Sequence, residues 1–234
     1  MNFAYAFAAD GWNSRQSSLS FSRLNCSKEF LMPETPFIFA FDLDGTVTTR
    51  EILPVLAQEL GLAEEMGLLT RLTLNGTLDF ESSFRLRFAV LRSIPLTRVR
   101  EIVAEIPLDP HITEFIRARR ESCAIVTGNL DCWVEPLLKK LGCLAYVSES
   151  CNGGGLLNLQ KVLNKGDAVR ELARSGKKIV AIGESANDLP MFEAADLRVA
   201  FAGVHKPVAE ILRIADHVAR DGKELSGLLE GLRA

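Results

Sequence analysis

Short, almost uninterrupted apolar runs alternate along most of the chain with stretches in which apolar residues recur at helical spacing. The apolar runs are Phe37 to Phe41, Cys123 to Val126, Leu144 to Val147, Ile179 to Ile182 and Leu197 to Phe201. Their short length and near-continuous apolar character, which only Arg198 interrupts, are typical of strands buried on both faces of a sheet. The helical stretches are Ile112 to Arg120, Trp133 to Leu141, Gly166 to Arg174 and Val208 to Ile214. This alternation predicts an α/β fold, a Rossmann-like parallel sheet with helices on both faces.

One stretch interrupts the alternation, because only helical spacing occurs between Thr46 and Asp109. Its four predicted helices are Glu51 to Leu60, Ala63 to Leu74, Phe80 to Arg92 and Thr97 to Glu105. Asp79 is a candidate cap for the third of them, and Asp109 followed by Pro110 begins the helix after the stretch. We therefore predict a core domain of residues 36–47 and 107–234, into which a small all-helical cap of residues 48–106 is inserted.

Residues 1–35 show neither a strand nor a helix period and are rich in Ser, Asn and Ala. The segment Met1 to Ala9 is mildly apolar, but it lacks the basic leader and the cleavage site of a signal peptide. Two interpretations of this extension stay open. One is a disordered tail, and the other is a wrongly assigned start codon with Met32 as the true start.

The composition is that of a globular protein with a substantial core, since 47% of the 234 residues are apolar and 24% are charged. The formal net charge of −3 supplies no large basic field, so we expect neither nucleic acid nor a membrane as a partner. No apolar run approaches the roughly 18 residues of a membrane span. The five cysteines form no C-x-x-C pair or zinc-like cluster, which favours buried free thiols in a reducing cytoplasm.

Four clusters of polar residues follow four of the predicted strands. They are Asp42-Leu43-Asp44-Gly45-Thr46, Thr127-Gly128-Asn129, Asn164-Lys165-Gly166 and Gly183-Glu184-Ser185-Ala186-Asn187-Asp188. Ligands bind beyond the carboxyl ends of the strands in such sheets, and these ends lie at one edge. The clusters are therefore expected to converge there.

This set of residues suits phosphoryl transfer, which needs in-line positioning and neutralisation of negative charge. Asp42 can act as a nucleophile, and Asp44, beyond the turn, can protonate the leaving oxygen and later activate water. Thr127 and Gly128 offer a hydroxyl and a backbone N–H to phosphate oxygens, and Lys165 offers a fixed positive charge. Mg²⁺ prefers oxygen ligands, which Asp42, the Asp44 carbonyl and an acid of the last cluster could supply.

The order of these motifs, D-x-D-G-T, T-G-N, a lysine and G-E-S-x-N-D, resembles the haloacid dehalogenase superfamily over about residues 36 to 225. The resemblance implies a Mg²⁺-dependent phosphatase that acts on a small phosphorylated metabolite, with the inserted helices as the family's small cap. The implied catalytic residues are Asp42 as nucleophile, Asp44 as general acid and base, and Lys165 as charge neutraliser. The implied phosphate-binding residues are Thr127, Gly128, Lys165 and Asn187, and the implied metal-binding residues are Asp42, Asp44, Glu184 and Asp188.

Glu184 departs from the family pattern, which usually has aspartate after the glycine of the last motif. The carboxylate is retained but reaches one methylene further, so we expect metal binding to survive with shifted geometry. Asp188 is expected to help hold either the metal site or Lys165. Together with Asn187 it could also cap a helix that begins at Leu189.

Within the superfamily the chain is most similar to phosphoserine phosphatases. The run Asn75-Gly76-Thr77-Leu78-Asp79-Phe80-Glu81-Ser82-Ser83-Phe84-Arg85-Leu86-Arg87 resembles that family's G-x-L-x-F-x-x-S-x-x-x-R. An acid, Glu51, follows the first motif at the family's spacing. The resemblance implies that Glu51 holds the substrate amine, that Arg87 holds its carboxylate, and that Phe80 closes over it. A guanidinium fork suits a carboxylate, so the leading hypothesis is hydrolysis of O-phosphoserine, a reaction of serine biosynthesis.

Plainer interpretations of the substrate residues stay open. Glu51 could only cap or solvate the first inserted helix, and Arg87 could be one of several surface arginines. The segment from Val147 to Lys165 is short for the family, and Gly153-Gly154-Gly155 replaces a more regular hairpin, which suggests a changed substrate. The alternatives are a phosphatase or phosphotransferase for another small phosphometabolite, and a non-catalytic binding protein that keeps the fold.

Overall fold

The computed structural model describes residues 35–74, 77–153 and 156–232, which form seven strands and ten α-helices. The strands are β1 (Phe37–Phe41), β2 (Cys123–Leu130), β3 (Leu144–Gly153), β4 (Leu156–Lys161), β5 (Lys178–Gly183), β6 (Leu197–Phe201) and β7 (His217–Ala219). The helices are α1 (Ile52–Gln58), α2 (Ala63–Leu74), α3 (Phe80–Leu91), α4 (Leu96–Ala104), α5 (Pro110–Ala118), α6 (Asp131–Leu141), α7 (Lys165–Leu172), α8 (Leu189–Ala194), α9 (Ala209–Ile214) and α10 (Gly222–Gly231). The predictions for residues 1–34 lie outside the described residues.

All seven strands belong to one sheet with the order β4-β3-β2-β1-β5-β6-β7. Neighbouring strands are parallel, except that β3 and β4 form an antiparallel hairpin. The predicted Rossmann-like fold is therefore confirmed, with one antiparallel strand added at an edge.

The side chains of β1 alternate between two apolar layers, because successive residues of a strand point to opposite faces. Phe37, Phe39 and Phe41 pack in the layer that contains buried residues of α5, α6 and α10. The Phe39 ring meets the Phe115 ring of α5 edge to face, with 5.1 Å between the centroids. Ala40 belongs to the opposite layer, which contains buried residues of α7, α8 and α9. Helices therefore cover both faces of the sheet.

The carboxyl ends of β1 and β5 lie side by side at the centre of the sheet. The backbone N–H of Asp42, the first polar residue after β1, donates to the Ile182 carbonyl of β5 at 2.9 Å. Strand β1 carries no polar side chain, so the chain stays in the core until it reaches Asp42. The first and last polar clusters are thereby placed next to each other.

Helices α1 to α4 follow one another between β1 and β2. The predicted caps of α3 and α5 are confirmed. The Asp79 carboxylate accepts a hydrogen bond from the Ser82 N–H, and the Asp109 carboxylate accepts from the N–H groups of His111 and Ile112. Each cap satisfies backbone donors that a helix start otherwise leaves without partners.

Two of these inserted helices pack on α6, which follows β2. Arg100 of α4 donates to the Cys132 carbonyl at 3.1 Å and pairs with the Glu135 carboxylate at 2.5 Å. Phe88 of α3 stacks on Trp133 of α6, with 5.8 Å between ring centroids. These contacts fix one side of the inserted helices, while the division of the chain into a core and a cap domain stays a prediction.

The sequence pattern does not predict β4, β7 or α10. Strand β4 pairs with β3 from Glu149 opposite Lys161 to Gly153 opposite Leu156. The two strands form a hairpin with a register shift between Glu149 and Ser150, and Gly154 and Gly155 of the glycine run lie outside the described residues. Among the described residues, no helix is both long enough and apolar enough to cross a bilayer.

Candidate active site

A buried group of three charged side chains links the first, third and last polar clusters. The Lys165 ammonium donates to Asp42 Oδ1 at 2.5 Å and to Asp188 Oδ1 at 2.6 Å. None of the three residues is more than 3% exposed. Lys165 begins α7, and the Asn164 side chain caps that helix by accepting from two backbone N–H groups, which fixes the lysine at the sheet edge.

Asp188 is held by the backbone as well as by the lysine. Its Oδ2 accepts hydrogen bonds from the N–H groups of Glu184 and Ser185 and from the Ser185 hydroxyl, at 2.8 to 3.0 Å. The sequence left two roles open for Asp188, which are to bind the metal or to hold Lys165. Because both oxygens of its carboxylate already accept hydrogen bonds, the geometry favours the second role. Ser185 and Asp188 also form a capping box around the 3₁₀ turn Ala186–Asp188, which leads into α8.

Asp44 lies over the turn that follows β1 and contacts the inserted helices. Its Oδ1 accepts from the N–H of Ile52, the first residue of α1, at 2.7 Å. Its Oδ2 lies 3.5 Å from Asn129 Nδ2. Gly45 allows the turn, because its φ of 78° lies in the left-handed region that glycine adopts without strain. Asp44 is therefore placed between α1 and the end of β2.

Glu184 directly follows β5 and points into this same turn. The Thr46 hydroxyl donates to Glu184 Oε2 at 2.7 Å. Any side chain at Gly45 would collide with the Glu184 carboxylate, so the longer acid fills the space beside the glycine. Sequence reasoning gave Thr46 no role, although it belongs to the first motif. Its hydroxyl orients the acid that departs from the family pattern.

Burial and mutual repulsion control the ionisation of these carboxyl groups. Burial raises the pKa of Asp42 to about 7, although the nearby lysine charge opposes the shift. Burial, together with the charges of Asp42 and Asp188, raises the pKa of Glu184 to about 10. Burial and the charge of Glu51 raise the pKa of Asp44 well above its usual value. Each shift reflects the cost of placing negative charge in a site that already holds several acids.

The site therefore holds more carboxylate than cationic charge. Asp42 and Asp188 share a single ammonium group, and a third buried acid, Glu184, is near enough to both for their charges to act on it. Burial alone would lower the pKa of Lys165, but its two carboxylate partners raise the pKa above its ordinary value. A surplus of hard oxygen ligands is the donor set that Mg²⁺ prefers. The residues present thus fit the cation that the sequence predicted.

Thr127 and Gly128 lie in β2 beside the acids. Thr127 is buried, and its Oγ1 accepts from the backbone N–H and the side-chain amide of Asn129, both at 3.2 Å. A Cβ atom added to Gly128 would lie 2.5 Å from Phe80 Cζ and 3.3 Å from Asn187 Nδ2. Only glycine fits at this position without moving the groups around it.

Gly128→Ala should lower kcat/KM by about 100-fold, because the methyl group must displace Phe80 or Asn187 and misplace the bound substrate. Steady-state measurement of phosphate release tests this. The matched control is Gly227→Ala in α10, where no atom of the described residues lies within 4 Å of the added Cβ. Unchanged kcat/KM in the Gly128 variant would show that the close packing around this glycine has no part in the reaction.

These groups line one cavity of about 420 Å³ at the carboxyl edge of the sheet. Ten of the eleven predicted site residues line it, namely Asp42, Asp44, Glu51, Phe80, Arg87, Thr127, Gly128, Lys165, Glu184 and Asn187. Asp188 is the exception, because it is fully buried behind Lys165. The polar clusters thus converge as the sheet topology indicated, and the role of each residue stays a prediction.

Glu51 and Arg87 have contacts that differ from those of capping or surface groups. Glu51 precedes α1, but its side chain makes no capping hydrogen bond, and Asp44 accepts from the first N–H of the helix instead. Arg87 is only 9% exposed, whereas the neighbouring Arg85 side chain is 51% exposed. A terminal nitrogen of Arg87 donates to Thr70 Oγ1 at 3.2 Å, and its Nε has no partner among the described residues.

Polar side chains outside the motifs also line the cavity, among them Thr70, Thr73, His205 and Lys206. His205 lies between β6 and α9, with its Nε2 3.1 Å from Glu51 Oε1. The side chains of Glu51, Glu184 and His205 each bring one potential metal-ligand atom within 4.8 Å of the others. No sequence motif marks His205, so only the folded structure identifies it as a neighbour of the site.

The site combines a lysine that bridges two buried aspartates with a position at the carboxyl edge of a Rossmann-like sheet, and comparison with protein families gives the class of protein to which it belongs. The model of the haloacid dehalogenase-like hydrolases matches residues 39–193, and a second model with the same description matches residues 157–232. The chain belongs to the haloacid dehalogenase-like hydrolase family, which confirms the resemblance of its motifs.

Within this family the chain is a phosphatase and is most similar to phosphoserine phosphatases. It is 29% identical over 185 residues to phosphoserine phosphatase of Methanocaldococcus jannaschii, a match that covers 73% of this chain and 87% of the relative. It is 31% identical to the Vibrio cholerae enzyme over 180 residues, which cover 71% of this chain and 55% of that enzyme.

Solved structures show the same likeness. A phospho-aspartyl intermediate analogue of phosphoserine phosphatase superimposes with a TM-score of 0.72 at 27% identity. A substrate-bound phosphoserine phosphatase complex gives 0.72 at 26% identity. Each match covers 86% of this chain and 100% of the other chain.

Proposed function

We propose that the protein hydrolyses O-phosphoserine to serine and phosphate, with Mg²⁺ as cofactor and a phosphorylated Asp42 as intermediate. The names of the related proteins support this substrate, and one of them is described as a phospho-aspartyl intermediate analogue. The reaction would belong to serine biosynthesis, as the family resemblance implies.

The choice of substrate depends on one observation. The cavity that is lined by Asp42 is also lined by a buried arginine, Arg87, and by an acid, Glu51. Arg87 has a buried Nε without a partner among the described residues, a costly arrangement that a substrate carboxylate can relieve. Glu51 is close enough for its charge to act on Arg87, opposing the lowering of the Arg87 pKa by burial. The cavity of the predicted nucleophile therefore offers an arginine to the carboxylate of an amino acid and a glutamate to its ammonium group.

The proposed reaction has two steps at the edge of the sheet. In the first, a carboxylate oxygen of Asp42 bonds to phosphorus while the bond from phosphorus to the serine oxygen breaks, and Asp44 gives a proton to that oxygen. In the second, Asp44 removes a proton from water, the water oxygen bonds to phosphorus, and phosphate leaves Asp42. Thr127 and the Gly128 N–H hold phosphate oxygens, and Lys165 offsets the charge of Asp42 and of the phosphoryl group.

The residues that would hold Mg²⁺ are Asp42, Glu184 and the backbone carbonyl of Asp44. Both oxygens of the Asp188 carboxylate already accept hydrogen bonds, so we expect Asp188 to act through Lys165 rather than as a metal ligand. When bound, Mg²⁺ neutralises negative charge on the phosphoryl group and on the acids. We expect chelation to abolish turnover and added Mg²⁺ to restore it.

The test of the proposed function is phosphate release by the purified full chain, with Mg²⁺, from a panel of phosphorylated metabolites. The panel includes O-phosphoserine, phosphoethanolamine without the carboxylate, and the phosphate ester of 3-hydroxypropanoate without the amine. O-phosphoserine is expected to give the highest kcat/KM. A higher value for either incomplete analogue would contradict the proposed substrate.

Arg87→Ala should raise KM for O-phosphoserine about 100-fold, because a buried charged hydrogen bond to the substrate carboxylate is lost. The KM for phosphoethanolamine, which lacks that carboxylate, should change less than about threefold. Arg85→Ala serves as the matched control, since Arg85 is exposed and pairs with Glu81 one helical turn away. Equal changes for both esters would remove Arg87 from carboxylate recognition.

We also propose a cytoplasmic location, supported by the cysteines. Cys123, Cys132 and Cys143 are free and buried, which suits a reducing compartment. Recovery of the protein from an oxidising compartment after cell fractionation would contradict this.

A further inference from the structure

A histidine contact singles out one oxygen of the Glu51 carboxylate. His205 Nε2 lies 3.1 Å from Glu51 Oε1. No other hydrogen bond or ion pair of this carboxylate occurs within residues 35–74, 77–153 and 156–232. Glu51 has three rotatable side-chain bonds and its side chain is 34% exposed, so without a partner it would sample many water-facing rotamers. The histidine restricts that freedom.

The loop that carries His205 is itself fixed to the site. The Val208 N–H donates to the Glu184 carbonyl at 3.0 Å, which ties the loop to the end of β5. Pro207 is buried beside it. The imidazole ring lies against the turn after β1, because a Cβ added at Gly45 would come within 3.2 Å of its Cδ2. His205 is therefore held from the sheet side and reaches Glu51 at the start of α1.

We propose that His205 is a positioning residue for recognition of the substrate's amino group. Its Nε2 contacts Glu51 Oε1 and keeps the carboxylate beside the cavity, with Oε2 left for the substrate ammonium. Preorganisation of a binding group reduces the entropy lost on binding, so the contribution is to substrate affinity rather than to the chemical step. The inference rests on the proposed function, because it requires a substrate with an amine.

The contact is not expected to stabilise the fold. The His205 side chain is 47% exposed, and surface ion pairs contribute little to stability. If the contact had only a structural role, its loss would leave KM unchanged for every substrate. A positioning role predicts that KM changes for the amine-bearing substrate alone.

The experiment compares His205→Ala and His205→Gln with the wild type on O-phosphoserine and on the phosphate ester of 3-hydroxypropanoate, which lacks the amine. His205→Ala should raise KM for O-phosphoserine about five- to tenfold, with kcat within about twofold. KM for the amine-free ester should stay at the wild-type value. Glutamine has an N–H of similar reach, so His205→Gln should restore most of the affinity for O-phosphoserine.

His111→Ala is the matched control, because His111 is exposed at the start of α5. Thermal melts of each variant verify that folding is unchanged. An unaltered KM for O-phosphoserine in His205→Ala, or an equal rise for both esters, overturns the positioning role alone. Absence of O-phosphoserine turnover by the wild type overturns the proposed function and this inference together, so the two failures are distinguishable.

Discussion

Replacement of Asp42 by asparagine should lower kcat by a factor of about 10⁴ or more, because the side chain would lose its nucleophilic oxygen. The amide has nearly the same shape and keeps an oxygen that can accept from Lys165. The buried contact of 2.5 Å between the two side chains can therefore persist in the variant. The loss is expected in the chemical step, with little change in folding.

Two measurements test the role of Asp42. One is the kcat of Asp42→Asn, with Asp167→Asn as control, since Asp167 is exposed and pairs with Arg170 on its own helix. The other is trapping with beryllium fluoride and Mg²⁺, which should place a phosphate-like adduct on the Asp42 carboxylate of the wild type and none on the variant. Turnover that survives the substitution, or an adduct elsewhere, would falsify the phospho-aspartyl mechanism.

Lys165→Met should have the second-largest effect, and it should act on both activity and stability. The ammonium is the shared partner of Asp42 and Asp188, and its loss removes the ion-pair partner that these two buried acids have in common. Removal of one partner of a buried ion pair typically costs about 3–5 kcal/mol of unfolding free energy. Loss of a fixed positive charge beside the phosphoryl group should lower kcat by about 10³.

Chemical denaturation and phosphate release measure these two effects on the same protein. Lys223→Met is the control, because Lys223 is an exposed residue of α10. If Lys165→Met kept both the wild-type unfolding free energy and the wild-type kcat, the buried triad would have neither of the roles that its geometry indicates. A retained fold with lost activity would assign Lys165 to catalysis alone.

Almost uninterrupted apolar runs made most of the strands predictable, whereas very short or mostly polar strands were not predictable. Strand β1 is visible in the sequence because all its residues are apolar, and β6 begins and ends where its pattern predicts. Strand β7 has only three residues, two of them exposed, so it has no measurable period. Strand β4 mixes leucines with polar residues directly after the glycine run, and its pairing depends on β3 rather than on its own pattern.

The candidate site divides in the same way. Asp42, Lys165 and Asp188 were predictable, because each belongs to a motif placed after a strand or at a helix start. Thr46 and His205 were not, because their contacts join distant parts of the chain. Thr46 contacts Glu184, which lies 138 residues further along the chain. His205, which follows β6, contacts Glu51, which precedes the inserted helices. Pairings of that kind depend on tertiary packing, which local patterns do not encode.

The two edge strands of the sheet, β4 and β7, affect the tendency of the protein to aggregate at high concentration. Strand β7 offers only three residues, too few to template the pairing of another chain. On β4, Leu157 and Leu159 pack toward the core and alternate with Asn158 and Gln160. Neither edge formed by the described residues is a long strand of exposed apolar side chains. We therefore expect little edge-to-edge aggregation of the sheet at high expression levels.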